Sequence, residues 1–538
     1  MYNVDVQLSY NYRGESTMKL SYQMLNGTLY AKIPGKSVRK NGKVCKEGEQ
    51  HLGRVIDKEN NVFYSRKRGI FTFDPETGEY GEADEKYVSN DNMDRRKREP
   101  DSLKFGDAFF VNELIHQIGY DKVIEDIQYN NKDTLYAMIT YYVVTSHANI
   151  HAQTWYEGSF AKVLYPRADL TSQRISDFLK SIGRHANLMT FFQTHMNWIK
   201  ETICDDPAII IDSTGLPNSI HMPLTAISTH NGKVEREARL VTMLQRDSGY
   251  PLMFRLIPGN IIDATTLIRS ADFLRDGGIK TDYILSDAGY YTIDSINELC
   301  DAHTDFLMRF PEKFKLYKDL VRDHGEEIQH SEYMVNYNKR FVYIKRFDVT
   351  VGNNHPAYVY LGYDVERMYD EGRKLYKRLQ EGKIDKKEYE RKSKTIGYFA
   401  MISSLAFDSE EILPAYYVRQ EVEQYFDICK GSSNMGTQRV LSEDALRGHL
   451  LLCMIASTIN VFIQKKMKVL TKENREDLFM GLNNHMCNIY KSVIRIVEPQ
   501  KKANDFYKAF GIKLPLSYVR KTDKWKPKYK LEKVTEDE

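Results

Sequence analysis

Two short apolar runs, each closed by an aspartate, constrain this chain more than any other feature. Ala208-Ile-Ile-Ile-Asp212 and Tyr283-Ile-Leu-Ser-Asp287 are dense in β-branched and aliphatic residues. That is the pattern of strands buried on both faces. An ionised carboxylate directly after such a run is expensive to place unless something compensates for it. Either aspartate alone also reads as an ordinary turn or helix-capping residue. Two of them in one core, 75 positions apart, need a further explanation, because carboxylates brought together repel unless a cation lies between them. Oxygen-only ligation with retained waters suits Mg²⁺.

The segments around these runs place them in a mixed α/β core. Strand-like runs recur at His221 to Ser228, Ala238 to Leu244, Leu252 to Ile257 and Phe306 to Met308, and helical patterning at Asp263 to Arg275 and Ile293 to Ala302. The rest of the chain divides by composition. Residues 1–100 read as a β-rich module with turn signals at Asn26-Gly27 and Asn41-Gly42, ending in the charged linker Ser89 to Asp101. Residues 101–204 are patterned as helices, and 205–310 hold the first part of the core. Residues 311–404 read as a β-rich insertion that includes a charged helical excursion, Met368 to Lys394. Residues 405–470 return to long helices, Glu410 to Lys430 and Glu443 to Gln464, and 471–538 form a basic terminal region.

Composition narrows the function classes. The 77 Lys and Arg nearly balance the 74 Asp and Glu, so the net charge is only +3. Basic residues nevertheless cluster locally: Lys36, Arg39, Lys40, Lys43 and Lys46, then Arg66 to Arg68, then Arg95 to Arg98. From His485 onward there are 13 Lys and Arg against 7 Asp and Glu. Each run alone reads as a solvated face; together, at both ends of the chain, they favour a polyanion partner. The longest apolar run, Leu450 to Ile463, contains Ser457, Thr458 and Asn460. It reads as a buried helix and not a membrane span. The six cysteines include no CxxC pair, which indicates neither a disulfide framework nor a zinc ribbon. The absence of a GxxxxGK[ST] loop argues against a nucleotide cofactor. A reduced, intracellular protein without a membrane partner is expected.

A third carboxylate comes from Ala415-Tyr-Tyr-Val-Arg-Gln-Glu-Val-Glu-Gln-Tyr-Phe-Asp-Ile-Cys-Lys430. On a continuous helix at about 100° per residue, Tyr416, Arg419, Glu423 and Lys430 fall within about 60° of one another, and Glu421 points away. The simpler alternative is an exposed ion pair between Arg419 and Glu423.

The spacing Tyr416-x2-Arg419-x3-Glu423-x6-Lys430 resembles the Tyr-x2-Arg-x3-Glu-x6-Lys motif of bacterial insertion-sequence transposases with an Asp-Asp-Glu active site. Its surroundings fit the same group. Asp212-Ser-Thr-Gly is similar to the first-aspartate motif. Asp287-Ala-Gly-Tyr290, followed by Asp305-Phe-Leu-Met-Arg309, is similar to the second. Pro258-Gly-Asn-Ile-Ile-Asp263 and Arg447-Gly-His-Leu-Leu also match. Gln420 and Tyr425 stand where Trp and Phe are common in the group.

The resemblance implies an RNase H-like mixed sheet with a β-rich insertion before the glutamate helix. It implies Asp212, Asp287 and Glu423 as catalytic ligands of two Mg²⁺ ions, with Mn²⁺ able to substitute. Tyr416, Arg419, Lys430 and Arg309 are expected to contact DNA. The implied activity is cut-and-paste transposition: cleavage at terminal inverted repeats, then joining of the 3′-OH ends to target DNA by transesterification. The implied partners are double-stranded DNA and a second copy of the chain on paired ends, in a bacterial cytoplasm at the nucleoid. The regions 1–200 and 485–538 are where end recognition is expected. Two other readings are an RNase H-like nuclease that cuts without joining and a catalytically silent, transposase-derived DNA-binding protein.

Overall fold

The computed structural model describes all residues except 1–17, 26–27, 41–42, 66–67, 85–86, 88–100, 205–207, 218–221, 229–233, 262–266, 421, 424, 427–439, 441, 472, 491–492, 523–528 and 535–538. Two compact units emerge, Met1–Asp101 and Ser102–Glu538.

In the first unit, alternating polar and apolar residues make half-buried antiparallel strands. They are β1 (Ser21–Leu25), β2 (Thr28–Ile33), β3 (Lys36–Lys40), β4 (Lys43–Glu47), β5 (Gln50–Asp57), β6 (Val62–Ser65), β7 (Gly69–Phe73) and β8 (Tyr80–Glu82). Six form one sheet in the order β1-β2-β5-β6-β7-β8, while β3 and β4 make a two-stranded sheet among the described residues. A small cluster of Ala31, Leu52, Phe63, Phe71 and Phe73 is the core of this sheet.

The second unit begins with β9 (Asp101–Lys104), followed by helices between 106 and 202. Its central sheet contains β10 (Ala208–Pro217), β11 (Ala226–Ser228), β12 (Glu235–Gln245), β13 (Pro251–Pro258), β14 (Tyr283–Ser286) and β15 (Asp305–Arg309). β10 pairs antiparallel with β12, and β12 antiparallel with β13. β10 pairs parallel with β14, and β14 parallel with β15. Two helices, Leu267–Asp276 and Ile293–Asp301, make the crossovers that parallel pairing requires. The order β13-β12-β10-β14-β15, three antiparallel strands followed by two parallel to the first, is the RNase H-like core.

The block from 311 to 404 supplies β16 (Met334–Tyr337), β17 (Arg340–Val351), β18 (His355–Asp364) and β19 (Tyr398–Ser403), with the charged helix Val365–Gln380 between the last two. These strands do not form a separate sheet. Leu307 to Arg309 of β15 pair with Met401 to Ser403 of β19, so the block extends the core sheet by β19-β18-β17-β16.

The helical segment after residue 101 and the carboxyl-terminal region also share one body. Helix Ser172–Ile182 packs on helix Glu443–Leu470. The contact is backbone to backbone: a Cβ on Gly448 would lie 2.0 Å from the Leu179 carbonyl oxygen. A second helix, Lys132–Val144, meets the same long helix, with Tyr142 Oη and His449 Nδ1 hydrogen-bonded at 2.7 Å. β9 joins β20 (Met486–Ile489), β21 (Val493–Ile496), β22 (Ser517–Thr522) and β23 (Tyr529–Val534) in a five-stranded sheet. Helix Glu443–Leu470 is long and apolar enough to cross a membrane, yet 89% of its most apolar window is buried inside the protein. Its polar Ser457, Thr458 and Asn460 are fully enclosed.

Candidate active site

The site is built on β10 and the end of β14. Parallel pairing between these strands stops at Ile211 and Ser286, so Asp212 and Asp287 are the first residues past the paired ladder on neighbouring strands. This is where an α/β sheet opens to solvent. The apolar run before Asp212 was expected to end the strand there. Instead β10 continues to Pro217, because its pairing with β12 carries on, Asp212 facing Thr242 and Pro217 facing Glu237. Asp212 therefore lies within a strand, and its side chain is only 13% exposed against 44% for Asp287.

Each aspartate commits one oxygen to the backbone. Asp212 Oδ1 accepts from the Ser213 N–H at 2.8 Å, and Asp287 Oδ1 accepts from the Ala288 N–H at 2.6 Å, capping a turn of 3₁₀ helix. The other oxygens converge on one cation. Arg419 Nη2 donates to Asp212 Oδ2 at 3.0 Å and lies 3.8 Å from Asp287 Oδ2. Burial pushes the Asp212 carboxyl above its ordinary range, Arg419 pulls it back, and Asp287 adds to the push. Burial works against the charge on Arg419, but the carboxylates of Asp212 and Asp287 outweigh it and hold the guanidinium's pKa above its usual value.

Arg419 follows helix Ile412–Tyr417, and turn residues 418 and 419 interrupt the helix expected to run from 410 to 430. The helix is anchored from one side by Tyr417 stacked on Tyr337, with ring centroids 5.4 Å apart. Tyr416 is buried beside Arg419, and among the described residues its Oη finds no hydrogen-bond partner in good geometry. Burial raises its phenol pKa; the charges of Arg419 and Arg309 oppose the shift, and Asp287 reinforces it. Arg309, at the end of β15, thus lies within electrostatic reach of the same pocket.

The expected single stripe is only partly assembled. Tyr416 and Arg419 face the aspartates. Glu423 is exposed, and among the described residues no group of three His, Cys, Asp or Glu side chains is placed to hold a metal. The interruption at 418–419 accounts for this, since angular positions computed for one continuous helix do not carry across a break. Lys430 lies outside the described residues, as do Ile262 and Asp263 of the segment beginning at Pro258.

Thr242 was not singled out from the sequence. It lies directly opposite Asp212, is fully buried, and among the described residues its hydroxyl has no hydrogen-bond partner. A lone polar residue inside Leu240-Val-Thr-Met-Leu244 was the available signal.

The donor chemistry of the two aspartates fits a hard divalent cation. Two carboxylate oxygens already point at one positive centre, and all the donors are oxygen. Asp212 and Asp287 would hold it.

Residues 203–459 match the family described as Transposase DDE domain. A solved structure titled as the piggyBac transposase synaptic complex with hairpin DNA aligns with 70% of this chain and 79% of its own, at 11% identity and a TM-score of 0.40. No curated protein matches the chain in sequence. The segment 203–459, which carries the sheet and both aspartates, is thus similar to a transposase DDE domain.

Proposed function

We propose that this chain is a cut-and-paste DNA transposase that cleaves the terminal inverted repeats of its own element and joins the 3′-OH ends to target DNA. The observation that carries the reading is the convergence of Asp212 and Asp287 on one cationic nitrogen at the open end of an RNase H-like sheet. Asp212 and Asp287 would hold divalent ions there, Mg²⁺ or Mn²⁺, which would supply Lewis-acid activation of a water or 3′-hydroxyl and charge neutralisation at the phosphate.

The side chains divide the remaining work. Asp212 and Asp287 keep one oxygen each on the backbone, so their orientation is fixed before any ligand arrives. Glu423 is the third carboxylate and must turn inward when the segment after Arg419 meets DNA. Arg419 exchanges its carboxylate partner for a phosphate, which its planar fork suits. Arg309, Lys430 and the Tyr416 hydroxyl line the path of the backbone next to the scissile bond. A homodimer on paired ends holds both ends for joining, and the chain acts on nucleoid DNA in a bacterial cytoplasm.

The test uses a duplex carrying the DNA that flanks the gene, purified protein, Mg²⁺ or Mn²⁺, and an Asp212→Ala control. Metal-dependent cutting at the element ends and joining to a plasmid, both lost in the control, is expected. Cutting without joining would leave a nuclease. End-specific binding with no cutting in either metal would remove the enzymatic reading.

A further inference from the structure

We propose that the β3–β4 hairpin of the amino-terminal unit is a ribbon that enters the major groove of duplex DNA. The inference rests on the reading that the chain acts on DNA, and it goes beyond that reading by naming the surface. β2 and β5 are neighbours in the six-stranded sheet, with Ala31 opposite Gly53, so the chain between them leaves the sheet and returns to the same place. On this excursion Lys36–Lys40 and Lys43–Glu47 pair with each other in a two-stranded sheet of their own among the described residues. The base is fixed. A Cβ on Gly35 would lie 2.6 Å from the Glu47 carbonyl oxygen and 2.7 Å from the Glu49 nitrogen, and Glu49 is ion-paired to Lys32.

A two-stranded hairpin on its own is marginal in water, and among its described side chains only Val38 is partly buried. Lys36, Ser37, Arg39, Lys46 and Glu47 are all exposed. Its composition points to a polyanion. Residues 36–47 contain five cations, Lys36, Arg39, Lys40, Lys43 and Lys46, against the single anion Glu47. Shape is the second argument. Strands of five residues extend about 17 Å, and the major groove, about 12 Å wide and 8.5 Å deep, admits a two-stranded ribbon.

The six-stranded sheet of the same unit carries groups of a related kind. Tyr30 of β2 lies opposite Arg54 of β5, and Arg54 opposite Tyr64 of β6, so the three form one row across neighbouring strands. Tyr30 is 40% exposed, and the Arg54 guanidinium lies 6.0 Å from the Tyr64 ring centroid. Tyrosine hydroxyls and a guanidinium are phosphate- and sugar-contacting groups. They would fix the register of a ribbon whose charges supply affinity.

The test compares full-length wild type with the variant Lys36→Gln, Arg39→Gln, Lys46→Gln. Binding to a labelled duplex of about 30 base pairs is followed by anisotropy between about 50 and 200 mM salt. The expected result is weaker binding by about tenfold or more, with a slope of log affinity against log salt shallower by about 2–3. Circular dichroism and thermal melting stay unchanged. Guanine N7 methylation protection, a major-groove signal, is expected in wild type and lost in the variant. Unchanged affinity and slope in the folded variant, tighter binding of single-stranded RNA of equal length, or no N7 protection would each overturn the proposal. Wild type that binds no duplex at all would remove the transposase reading as well; wild type that binds, with a variant that binds equally, removes only this surface.

Discussion

Arg419 Nη2 donates to Asp212 Oδ2 at 3.0 Å and approaches Asp287 Oδ2 to 3.8 Å, so one guanidinium holds together two carboxylates from neighbouring strands. Their mutual repulsion is the cost of building the site, and this contact offsets it. Arg419 is therefore the counter-ion of both carboxylates and, by our proposal, also a phosphate ligand.

Replacing Arg419 by Gln is expected to lower stability in chelator by about 2 kcal/mol, since it leaves two partly buried carboxylates without their cation. Adding Mn²⁺ or Mg²⁺ should then raise the melting temperature of Arg419→Gln more than that of wild type, because a divalent ion supplies the missing charge without having to displace the guanidinium. Equal metal-induced shifts in the two proteins would show that Arg419 does not occupy the cation position.

Glu423 separates the catalytic assignment from the resting geometry. It is exposed, and no hydrogen bond or ion pair reaches it among the described residues. Glu423→Gln is therefore expected to change stability by less than about 0.5 kcal/mol. Strand cleavage should nonetheless fall by about 100-fold or more if Glu423 turns inward as the third ligand. A Glu423→Gln protein that cleaves at the wild-type rate would leave the two aspartates as the whole ligand set.

What the sequence disclosed and what it withheld follow from the range of the interactions involved. Asp212 and Asp287 were legible because burial of the preceding residues is written locally, as apolar β-branched runs. The place of Asp212 within β10 was not, because the strand's continuation depends on pairing with β12, more than twenty residues on. Similarly, the alternation in 311–404 announced strands but not their partners: β19 reaches back to β15 across that whole block. The four-residue motif drew attention to Tyr416 and Arg419, and Arg419 lies against Asp212 and Asp287. The motif's single-helix geometry does not hold at Val418 and Arg419, which are turn residues; the neighbouring contacts, Tyr417 on Tyr337 and Arg419 on Asp212, are not local. The shared body formed by the helices after residue 101 and the carboxyl-terminal segment was hidden for the same reason. Its links, such as Tyr142 to His449, join residues hundreds of positions apart.

Gly448 tests that shared body. Helices Ser172–Ile182 and Glu443–Leu470 meet at Gly183 and Gly448, where a Cβ would lie 1.8 Å from the Asp444 carbonyl oxygen and 2.0 Å from that of Leu179. Both obstacles are backbone, so neither can rotate away. Gly448→Ala is expected to cost about 3 kcal/mol, at the upper end of overpacking. Gly158→Ala, with nothing within 4 Å of its Cβ, should be neutral or slightly stabilising. Chemical denaturation of both variants checks the contrast; a similar small effect at both positions would mean that the helices can separate at little cost.

The last prediction concerns acid. His195 is fully buried, with Nε2 2.7 Å from the Pro251 carbonyl oxygen and Nδ1 2.9 Å from Tyr120 Oη. The carbonyl can only accept, so Nε2 carries the proton and Nδ1 accepts from the tyrosine hydroxyl. The ring is held neutral. Burial pulls its pKa down to about 4 from an ordinary 6.5, although the bond to Pro251 opposes the shift. In this window the unfolded chain binds a proton that the folded chain does not, so stability rises with pH between about 4 and 6.5. The contribution is complete above about 6.5 and is lost as pH falls toward 4, by up to about 3 kcal/mol. His195→Phe keeps the ring volume without the titration. It should be less stable than wild type at pH 7.5, because Tyr120 and Pro251 lose their partner. The gap should narrow steadily in urea denaturation series taken down to pH 4.5. His485 has a similar arrangement, between Tyr507 Oη and the Val497 carbonyl, and burial lowers its pKa as well, so some acid sensitivity remains in the variant. Wild-type and variant midpoints that run parallel from pH 7.5 to 4.5 would show that His195 is not the group that titrates.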